Sequence, residues 1–478
     1  MANIFKRFDF KKKLKRTAKD EFIGKGFSLE DRHEEEPLDI FTKFENRINH
    51  TFVFGSTGVG KTRLLELMIE QDIKRGENVV IIDPKGDTDL FAKTIYLAQQ
   101  AGRVNDLLYL GPLFPEYSIS INPLKQYYIK EEVIGHIMSC VDCDDPFFYS
   151  VAHETTILIV TTLLLARQKD KSKKPLTLDE IARYTSKDGI SNLYETYFSN
   201  DRLINKFANE LAKTSKTIKE AEYYEKEIAK LRDSYIKVVK APNGYFEKVS
   251  NTLSVTLTKL TSGNLGRLIA TEEDNKFISQ LENQKGCIFF VQTASMLTKD
   301  VSDAIGKIVL SMIIALVGRL NGSNKKFDKR LNIYIDEMSR SLFDGIETLF
   351  QQARSAGVCV IGLTQSWADI IKKLGKDSAR TIFDNTSTKI IMKMNDLESA
   401  ETVSKMGGTH KVHTTFLNDA GKITSRETEE DIIKPVDVLN LNKREFYYFG
   451  FEGRFKGKTA DVSESYLRLK LPEITTKE

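Results

Sequence analysis

The amino-acid sequence predicts an α/β protein with a mostly parallel sheet flanked by helices, interrupted by an all-helical insertion. Short apolar runs alternate with stretches of helical periodicity from about residue 51 to residue 110, and again from about residue 286 to residue 394. Strands separated by helices indicate a parallel sheet. Between Lys125 and Lys285 few β-branched runs remain and helical periodicity dominates, so this part is expected to be all-α.

The first strand of the pattern, Thr51–Phe54, leads into GSTGVGKT, which matches the spacing Gly-x-x-x-x-Gly-Lys-Ser/Thr. Glycines let such a loop point its backbone N–H groups at a polyphosphate, the lysine reaches the β- and γ-oxygens, and the last hydroxyl ligates Mg²⁺. Apolar residues at helical spacing follow, so the anion would lie at a helix N-terminus. A glycine-rich turn that binds nothing is the alternative. The predicted nucleotide-binding residues are Gly55, Ser56, Thr57, Gly58, Val59, Gly60, Lys61 and Thr62.

Two later strands run directly into acidic residues. The run that starts at Asn78 ends in Asp83-Pro84-Lys85-Gly86-Asp87, and the run that starts at Leu331 ends in Asp336 and Glu337. Ligands of parallel α/β sheets bind at the carboxyl ends of the strands. There Asp336 would bind the Mg²⁺ ion and Glu337 would polarise the attacking water. A plain turn after Asp83, and a chance pair of carboxylates, are the alternatives.

Two further residues are candidates for the chemistry. The strand at 358–364 delivers Gln365 to the same sheet edge, where it could sense the γ-phosphate or the water. Arg354, just ahead of Gly357, is a candidate arginine finger that would neutralise charge on a neighbouring subunit's nucleotide. An arginine that interacts favourably with the dipole at a helix C-terminus is the alternative. The predicted catalytic residues are Lys61, Glu337, Gln365 and Arg354.

Composition restricts the class of protein. A chain of 478 residues with 41% hydrophobic residues can form several domains, and a net charge of +4 is too mild to indicate a nucleic-acid partner by itself. No window of about 18 residues is uninterruptedly apolar, so no membrane-spanning helix is expected. The apolar stretches 157–166 and 308–317 are interpreted as buried core helices. Four cysteines fit a reducing compartment.

The N-terminal segment and one Cys/His set are two further places where a site could lie. The first 19 residues are rich in lysine and arginine with interleaved aromatic residues, which would suit an anionic membrane surface or nucleic acid. A solvated, frayed terminus is the alternative. The spacing of His136, Cys140, Cys143 and His153 fits no zinc pattern.

The predicted domain organisation has five parts. They are a charged lead-in at 1–44, a nucleotide-binding domain in two segments (45–124 and 286–462), the all-α domain at 125–285 and a tail at 463–478. Residues 20–50 are expected to pack beside the first core strand.

Taken together, GSTGVGKT, the DPKGD at Asp83, the helical insertion, the IYIDE at Ile333, QQARSAG and the LTQSW at Leu363 resemble the TraD/TraG family of type IV coupling proteins. The order of the motifs is most similar to the TraD branch carried by integrative conjugative elements, and the likeness spans residues 45 to about 455. The resemblance implies a RecA-like P-loop ATPase with an inserted all-α domain, assembled as a homo-hexamer. Such proteins use ATP and Mg²⁺ to bring relaxase-bound single-stranded DNA to a type IV secretion channel.

By matched position, the resemblance assigns Lys61 and Thr62 to the phosphates and Mg²⁺, and Asp336 and Glu337 to the acidic pair. It also makes Gln365 the sensor and Arg354 a finger that acts in trans. The family usually starts with transmembrane helices, which this sequence does not show. We therefore expect a cytoplasmic protein. It is either a soluble form, recruited by a membrane partner or held at the inner membrane by its basic N-terminus, or a piece that lacks the membrane part, and the start at Met1 favours the natural soluble form.

Two other functions remain open from the sequence. One is a double-stranded DNA pump similar to HerA or FtsK, which share the motor core. The other is an ATP-gated adaptor that docks relaxase or effector proteins without moving DNA. No pattern assigns the DNA contacts, for which Lys85 and the loop at 410–430 are candidates.

Overall fold

The computed structural model describes residues 15–30, 36–143, 145–241, 243–293, 299–417, 423–465, 467–469 and 472. It contains thirteen strands in this part of the chain. They are β1 (Glu21–Ser28), β2 (Leu38–Thr42), β3 (Thr51–Phe54), β4 (Asn78–Asp83), β5 (Leu107–Leu110), β6 (Ile288–Gln292), β7 (Leu331–Ile335), β8 (Val358–Thr364), β9 (Thr388–Met392), β10 (Thr409–Leu417), β11 (Ile423–Asp431), β12 (Glu445–Gly450) and β13 (Gly453–Thr459). Eleven of them form one sheet in the order β2-β1-β13-β12-β9-β3-β8-β7-β4-β6-β5.

The seven strands from β9 to β5 are parallel, as the alternation of strands and helices predicted. Their side chains alternate between two apolar layers. Phe52 and Phe54 belong to one buried cluster and Val53 to the other. Because both faces are covered, these strands appear in the sequence as near-continuous apolar runs.

The other four strands of the sheet are antiparallel. Two of them, β1 and β2, lie in the segment that the sequence predicted to be a lead-in. The hairpin β12–β13 continues the sheet from β9, and β1 and β2 lie beyond it at the far edge. Residues 20–44 are therefore not neighbours of β3 in the sheet, where three strands separate β1 from it, although Ile23 and Ile40 belong to the same apolar cluster as Val53. The pairing of β1 with β13 joins residues more than 400 positions apart, which local sequence cannot indicate. Close approach requires glycine here, since a Cβ at Gly24 would lie 2.0 Å from Lys458 O.

Helices cover both faces of the sheet. On one face lie α2 (Lys61–Arg75) and α3 (Thr88–Gln100), whose apolar residues form a cluster with Val53 and Tyr334. The other face carries the larger apolar cluster. The remaining helices of the sheet domain are α1 (Phe44–Arg47), α13 (Lys299–Gly322), α14 (Glu347–Gln352), α15 (Trp367–Asp384), α16 (Leu397–Gly407) and α17 (Pro435–Leu439).

The described residues between β5 and β6 contain helices and no strand, in agreement with the predicted insertion. The helices are α4 (Lys130–Met138), α5 (Pro146–Lys169), α6 (Leu178–Ala182), α7 (Lys187–Tyr197), α8 (Asp201–Ala212), α9 (Ile218–Lys240), α10 (Asn243–Thr261), α11 (Gly263–Ile269) and α12 (Lys276–Glu282). The amphipathic stretch at 206–240 forms part of the α8–α9 helical hairpin. Its apolar residues Phe207, Leu211, Ile228 and Leu231 are buried.

Helix α5 is the one helix in the described part of the chain that is long and apolar enough to cross a membrane by length and composition. Its most apolar window is 56% buried inside the protein, and the helix packs against α4 and α10. Ile159 and Val160 are fully buried, so the stretch 157–166 is a core segment of this domain, as predicted.

The segment after α16, which includes the predicted loop at 410–430, contains the two-stranded hairpin β10–β11. The hairpin is separate from the main sheet. Lys411 pairs with Glu427 across it at 2.7 Å.

Candidate active site

The carboxyl ends of four adjacent strands converge at one edge of the sheet, in the order β3, β8, β7 and β4. Backbone hydrogen bonds connect the residues that follow the strands: Gly55 N donates to Thr364 O at 3.3 Å, and Asp336 N donates to Ile82 O at 3.0 Å. The parallel register therefore brings together the phosphate loop, the turn after Asp83, the acidic pair and Gln365. The phosphate loop and Gln365 are more than 300 residues apart in the sequence.

The phosphate loop has the backbone conformation that its glycines predict. Gly58 and Gly60 have φ values of 79° and 111°, which side-chain-bearing residues rarely adopt. A Cβ added at Gly58 would meet nothing within 4 Å, so the loop borders open space at this position. Helix α2 begins at Lys61 with no side-chain cap, which leaves its first N–H groups available to an anion. The loop fits a polyphosphate.

Lys61 lies in the loop itself. Its side chain is 7% exposed, and Nζ donates to Gly55 O at 2.5 Å and to Ser56 O at 2.9 Å. Burial and the neighbouring charge of Lys85 lower the pKa of Lys61, although Asp336 and Glu337 act in the other direction. The lysine is thus within the electrostatic reach of the acidic pair.

The acidic pair follows β7 directly. Asp336 is 1% exposed, and its Oδ2 accepts from Lys85 Nζ at 2.8 Å. Glu337 has φ 48° and ψ 56°, a left-handed conformation that costs a non-glycine residue roughly 1–2 kcal/mol. Such strain persists where surrounding contacts enforce it, often at active sites. Arg340 Nε donates to Glu337 Oε2 at 2.8 Å and so holds this carboxylate.

The turn after β4 is organised by Asp83. Its buried carboxylate accepts hydrogen bonds from Lys85 N at 3.0 Å and from Asp87 N at 2.7 Å. Burial raises the pKa of Asp83 to about 6, although these two backbone hydrogen bonds lower it. Lys85, which the sequence suggested as a DNA contact, lies against Asp336.

Two predicted catalytic residues have exposed side chains. Gln365 directly follows β8 at the carboxyl edge, next to Ser366, which caps α15. Arg354 lies between α14 and the start of β8, at the amino end of that strand. A seven-residue strand spans about 23 Å, so Arg354 is remote from the phosphate loop of its own chain. Its charge helps to lower the pKa of buried His50 to about 4, where burial is the main cause.

A residue that sequence reasoning missed supports the loop from the antiparallel side. Arg444 has φ 73°, and its backbone N donates to Val59 O at 2.8 Å. Its guanidinium binds Thr459 O at 2.8 Å and Asp461 at 2.7 Å. A Cβ at Gly60 would lie 3.2 Å from Arg444 Cγ, so the third loop glycine is also required by this packing. No motif marks Arg444.

The candidate magnesium ligands fit the ion by chemistry. Mg²⁺ prefers carboxylate and hydroxyl oxygens and is usually bound by one or two carboxylates together with phosphates. Asp336 supplies a buried carboxylate, and Thr62 supplies a hydroxyl in the first turn of α2. In contrast, the described His, Cys, Asp and Glu residues form no group of three or more that could hold a metal ion. Within the Cys/His set, His136 Nδ1 is 2.7 Å from Ser311 Oγ.

Two protein-family models match parts of the chain. Residues 330–443 match the model described as TraM recognition site of TraD and TraG, and residues 38–123 match the model described as helicase HerA, central domain. The first match contains the acidic pair, Arg354 and Gln365, and the second contains the phosphate loop.

Among curated proteins, the chain is similar to the type 4 coupling protein DotL of Legionella pneumophila subsp. pneumophila. The two are 23% identical over 385 residues, which cover 73% of this chain and 47% of DotL. The chain thus spans about half the length of this relative.

Solved structures of the coupling protein TrwB share the fold. Unbound TrwBdeltaN70 has a TM-score of 0.61 and 17% identity, and the match covers 90% of each chain. TrwB in complex with ADP and Mg²⁺ gives a TM-score of 0.61 and 16% identity, over 90% of this chain and 89% of that chain. TrwB with a non-hydrolysable ATP analogue gives the same TM-score and identity, over 94% and 97%. The predicted fold class, a RecA-like P-loop NTPase core with an inserted all-α domain, is confirmed.

Proposed function

The chain resembles type IV coupling proteins of the TraD/TraG type, and from this premise we propose that it is a P-loop ATPase that couples DNA to a type IV secretion channel. One observation carries the proposal: the loop that contains Lys61 and the pair Asp336–Glu337 meet at a single edge of the sheet, although more than 270 residues separate them. A fold shared with TrwB, whose structures contain nucleotides, supports ATP as the ligand.

The phosphate loop binds the triphosphate in this proposal. Backbone N–H groups between Gly55 and Thr62 donate to the phosphate oxygens, and Lys61 exchanges its bonds to loop carbonyls for bonds to the β- and γ-phosphates. Thr62 and Asp336 would hold Mg²⁺, which neutralises charge on the phosphates when it is bound. This exchange is favourable because a hydrogen bond from the Lys61 ammonium to a charged phosphate is stronger than one to a neutral backbone carbonyl.

Hydrolysis then needs a base and a source of positive charge. Glu337, fixed by Arg340, orients and polarises the attacking water, and Gln365 senses the γ-phosphate from the end of β8. Arg354 stabilises the transition state on the nucleotide of a neighbouring protomer. Its position at the amino end of β8 supports action in trans, because it is too far from its own loop. Action in trans requires an oligomer, for which we propose a homo-hexamer.

We propose single-stranded DNA carried by a relaxase as the transported partner, and type IV secretion components as the receiving one. The helical domain from α4 to α12 offers the docking surface for proteins. The protein would act in the cytoplasm at the inner-membrane face. The first 14 residues, which carry most of the basic segment proposed for peripheral membrane contact, lie outside the described residues.

Two competing functions each have one supporting observation. The match of residues 38–123 to the HerA central domain favours a double-stranded DNA translocase. The large helical insertion favours an adaptor that binds ATP to dock relaxase or effector proteins and moves no DNA.

The deciding experiment measures ATP hydrolysis by the full chain with single-stranded and double-stranded DNA of equal length. We expect stronger stimulation by single strands, and Lys61→Ala should lower turnover by at least about 100-fold because it removes a main phosphate contact. Stronger stimulation by duplex would favour the HerA-like function. Hydrolysis that ignores both forms of DNA, in protein that still binds ATP, would favour the adaptor.

A further inference from the structure

Four charged side chains meet at the carboxyl edge of the sheet: the cations of Lys61 and Lys85 and the carboxylates of Asp336 and Glu337. Lys85 Nζ lies 2.8 Å from Asp336 Oδ2 and 3.8 Å from Glu337 Oε1. Burial lowers the pKa of Lys85, but the charge and hydrogen bond of Asp336 outweigh it and the pKa lies above its usual value. The lysine is therefore a cation bound to the two carboxylates proposed for magnesium and water.

The position of Lys85 is determined by the turn that carries it. The carboxylate of Asp83 binds the backbone N–H groups of Lys85 and Asp87, and Gly86 between them has φ 78°. Asp87 in turn caps α3 by accepting from Asp89 N and Leu90 N. Both sides of Lys85 are thus fixed in the backbone, while its side chain is 38% exposed and flexible. The turn delivers an ammonium group to Asp336 and leaves it free to move.

We propose that Lys85 competes with Mg²⁺ for Asp336, and that binding of the magnesium nucleotide transfers the Lys85 ammonium from this carboxylate to a phosphate oxygen. The inference rests on the proposed function and adds a positioning residue to it. Mg²⁺ and the ammonium group require the same carboxylate oxygens, since carboxylates are preferred ligands of Mg²⁺. A released ammonium group finds its new partner in the phosphates, which add negative charge a few ångströms away.

This exchange makes metal binding and phosphate binding one coupled event. Lys61 and Lys85 are like charges that lie beside the carboxylates of Asp336 and Glu337, and these anions offset the repulsion between the two cations. Phosphate would replace carboxylate as the partner of Lys85 at the moment when Mg²⁺ takes the carboxylate. Magnesium without nucleotide must displace the ammonium with no such compensation, so its binding should be weak.

The test uses Trp367, the only tryptophan of the chain, which lies two residues beyond Gln365. Energy transfer from Trp367 to a nucleotide that carries a methylanthraniloyl group reports nucleotide binding directly, with no need for turnover. Titration with Mg²⁺ at fixed nucleotide gives the midpoint of magnesium-dependent binding. We expect Lys85→Gln to lower this midpoint about tenfold, because the contact that it removes from buried Asp336 is stronger than the phosphate contact that it also removes, which forms at the exposed side of the site. Lys85→Arg, which keeps the cation, should restore a midpoint near that of the unchanged chain.

A matched control uses a second lysine ion pair on the same nucleotide-binding domain. Lys74 pairs with Glu70 at 2.6 Å, but it lies 13 residues along α2 from Lys61, about 20 Å away. Lys74→Gln should leave the midpoint unchanged. Thermal unfolding of each variant checks that the fold is intact.

The possible outcomes separate this inference from the function on which it rests. An unchanged or raised midpoint in folded Lys85→Gln, in a titration where the unchanged chain binds nucleotide, would overturn the inference and leave the ATPase standing. Failure of the unchanged chain to bind nucleotide at any Mg²⁺ concentration would remove the proposed function, and the inference with it.

Discussion

Two clusters of charge lie on the same pair of elements, α2 and β7, and they differ in how far their members are exposed to solvent. At the carboxyl edge, Lys61 at the start of α2 adjoins the acidic pair after β7. Toward the amino side, Asp72 near the end of α2 and Tyr334 within β7 form a cluster with Arg47 and Glu21. The second set is called the Arg47 cluster below.

The Arg47 cluster is closed. Arg47 makes a two-pronged contact with Asp72, whose Oδ2 accepts from Tyr334 OH at 2.5 Å. Arg47 also pairs with Glu21 of β1 at 2.9 Å and donates to Tyr334 OH at 2.6 Å. Arg47, Glu21 and Asp72 are at most 2% exposed. These three side chains are almost completely shielded from solvent.

The cluster at the carboxyl edge consists of Lys61, Lys85, Asp336 and Glu337 and is called the site cluster. It is open on one side, since the side chain of Lys85 is 38% exposed and that of Glu337 is 21% exposed. A buried network of ion pairs contributes to a unique packing arrangement and is costly to break. A cluster with exposed members can exchange partners with a ligand at little cost to the fold. The comparison therefore distinguishes charges that stabilise from charges that react, although both lie on one helix and one strand.

The largest expected effect is on ATP turnover and concerns Arg354, the exposed arginine at the amino-terminal edge of the sheet for which we propose a catalytic role. Arg354→Ala should lower turnover by about 10³–10⁵-fold, as expected for an arginine finger, and leave nucleotide binding intact. The measurement is ATP hydrolysis beside nucleotide binding by energy transfer from Trp367.

Mixed assemblies sharpen this prediction. Combining Lys61→Ala subunits with Arg354→Ala subunits should restore part of the activity, since a Lys61→Ala neighbour can supply Arg354 to an intact phosphate loop. Absence of rescue in assemblies shown to be mixed would limit Arg354 to a role at its helix end, and the amino side would then have no catalytic function.

Next in size is the loss of the Arg47 cluster. Arg47→Met should lower the free energy of unfolding by about 3–5 kcal/mol, because it removes the cation paired with buried Glu21 and one of the two cations paired with buried Asp72, which keeps Arg75. Urea unfolding measures the change. As a control, Arg380→Met removes an arginine whose side chain is 83% exposed, and should change stability by less than about 0.5 kcal/mol. Equal effects of the two substitutions would contradict the closed character of the cluster.

The smallest effect is a pH dependence at Glu21. Burial raises the pKa of Glu21 from 4.5 to about 7, although Arg47 acts against this rise. Between about pH 4.5 and pH 7, the folded chain therefore binds more protons than the unfolded chain. The stabilisation is complete below about pH 4.5 and is lost as the pH rises through about 7.

Glu21→Gln removes this titration and provides the measurement. The stability of the unchanged chain relative to Glu21→Gln should fall by on the order of 1 kcal/mol between pH 5 and pH 8. The same substitution at exposed Glu225 on α9 should give a difference that does not vary with pH. A flat profile for Glu21→Gln would show that the carboxylate is ionised throughout.

The parts of the site that were predictable are those encoded by contiguous residues. The phosphate loop, the strand end at Asp336 and Glu337, and the strand before Gln365 each contain their own signal, because strand pattern and motif overlap in a few residues. The roles of these residues remain predictions that the experiments above test. The helical insertion was predictable for the same local reason.

What escaped prediction depends on pairs of residues that are distant along the chain. Arg444 supports the phosphate loop from 385 positions beyond Val59, and Lys85 binds Asp336 across 251 positions. The strands β1 and β2 were missed because β1 contains glycines that serve its contact with β13 and has no strong alternation. Neither Arg47 nor Arg444 lies in a motif.

The sequence by itself determined the kind of chemistry, since a loop of this spacing and an apolar strand ending in two carboxylates each specify their local backbone and their ligand type. Only the tertiary structure decided which charges share an edge, that Lys85 binds Asp336, and that the Arg47 cluster is closed while the site is open. The physical reason is that local conformation follows from neighbouring residues, whereas burial and ion pairing follow from strand order, and strand order joins residues that the sequence keeps hundreds of positions apart.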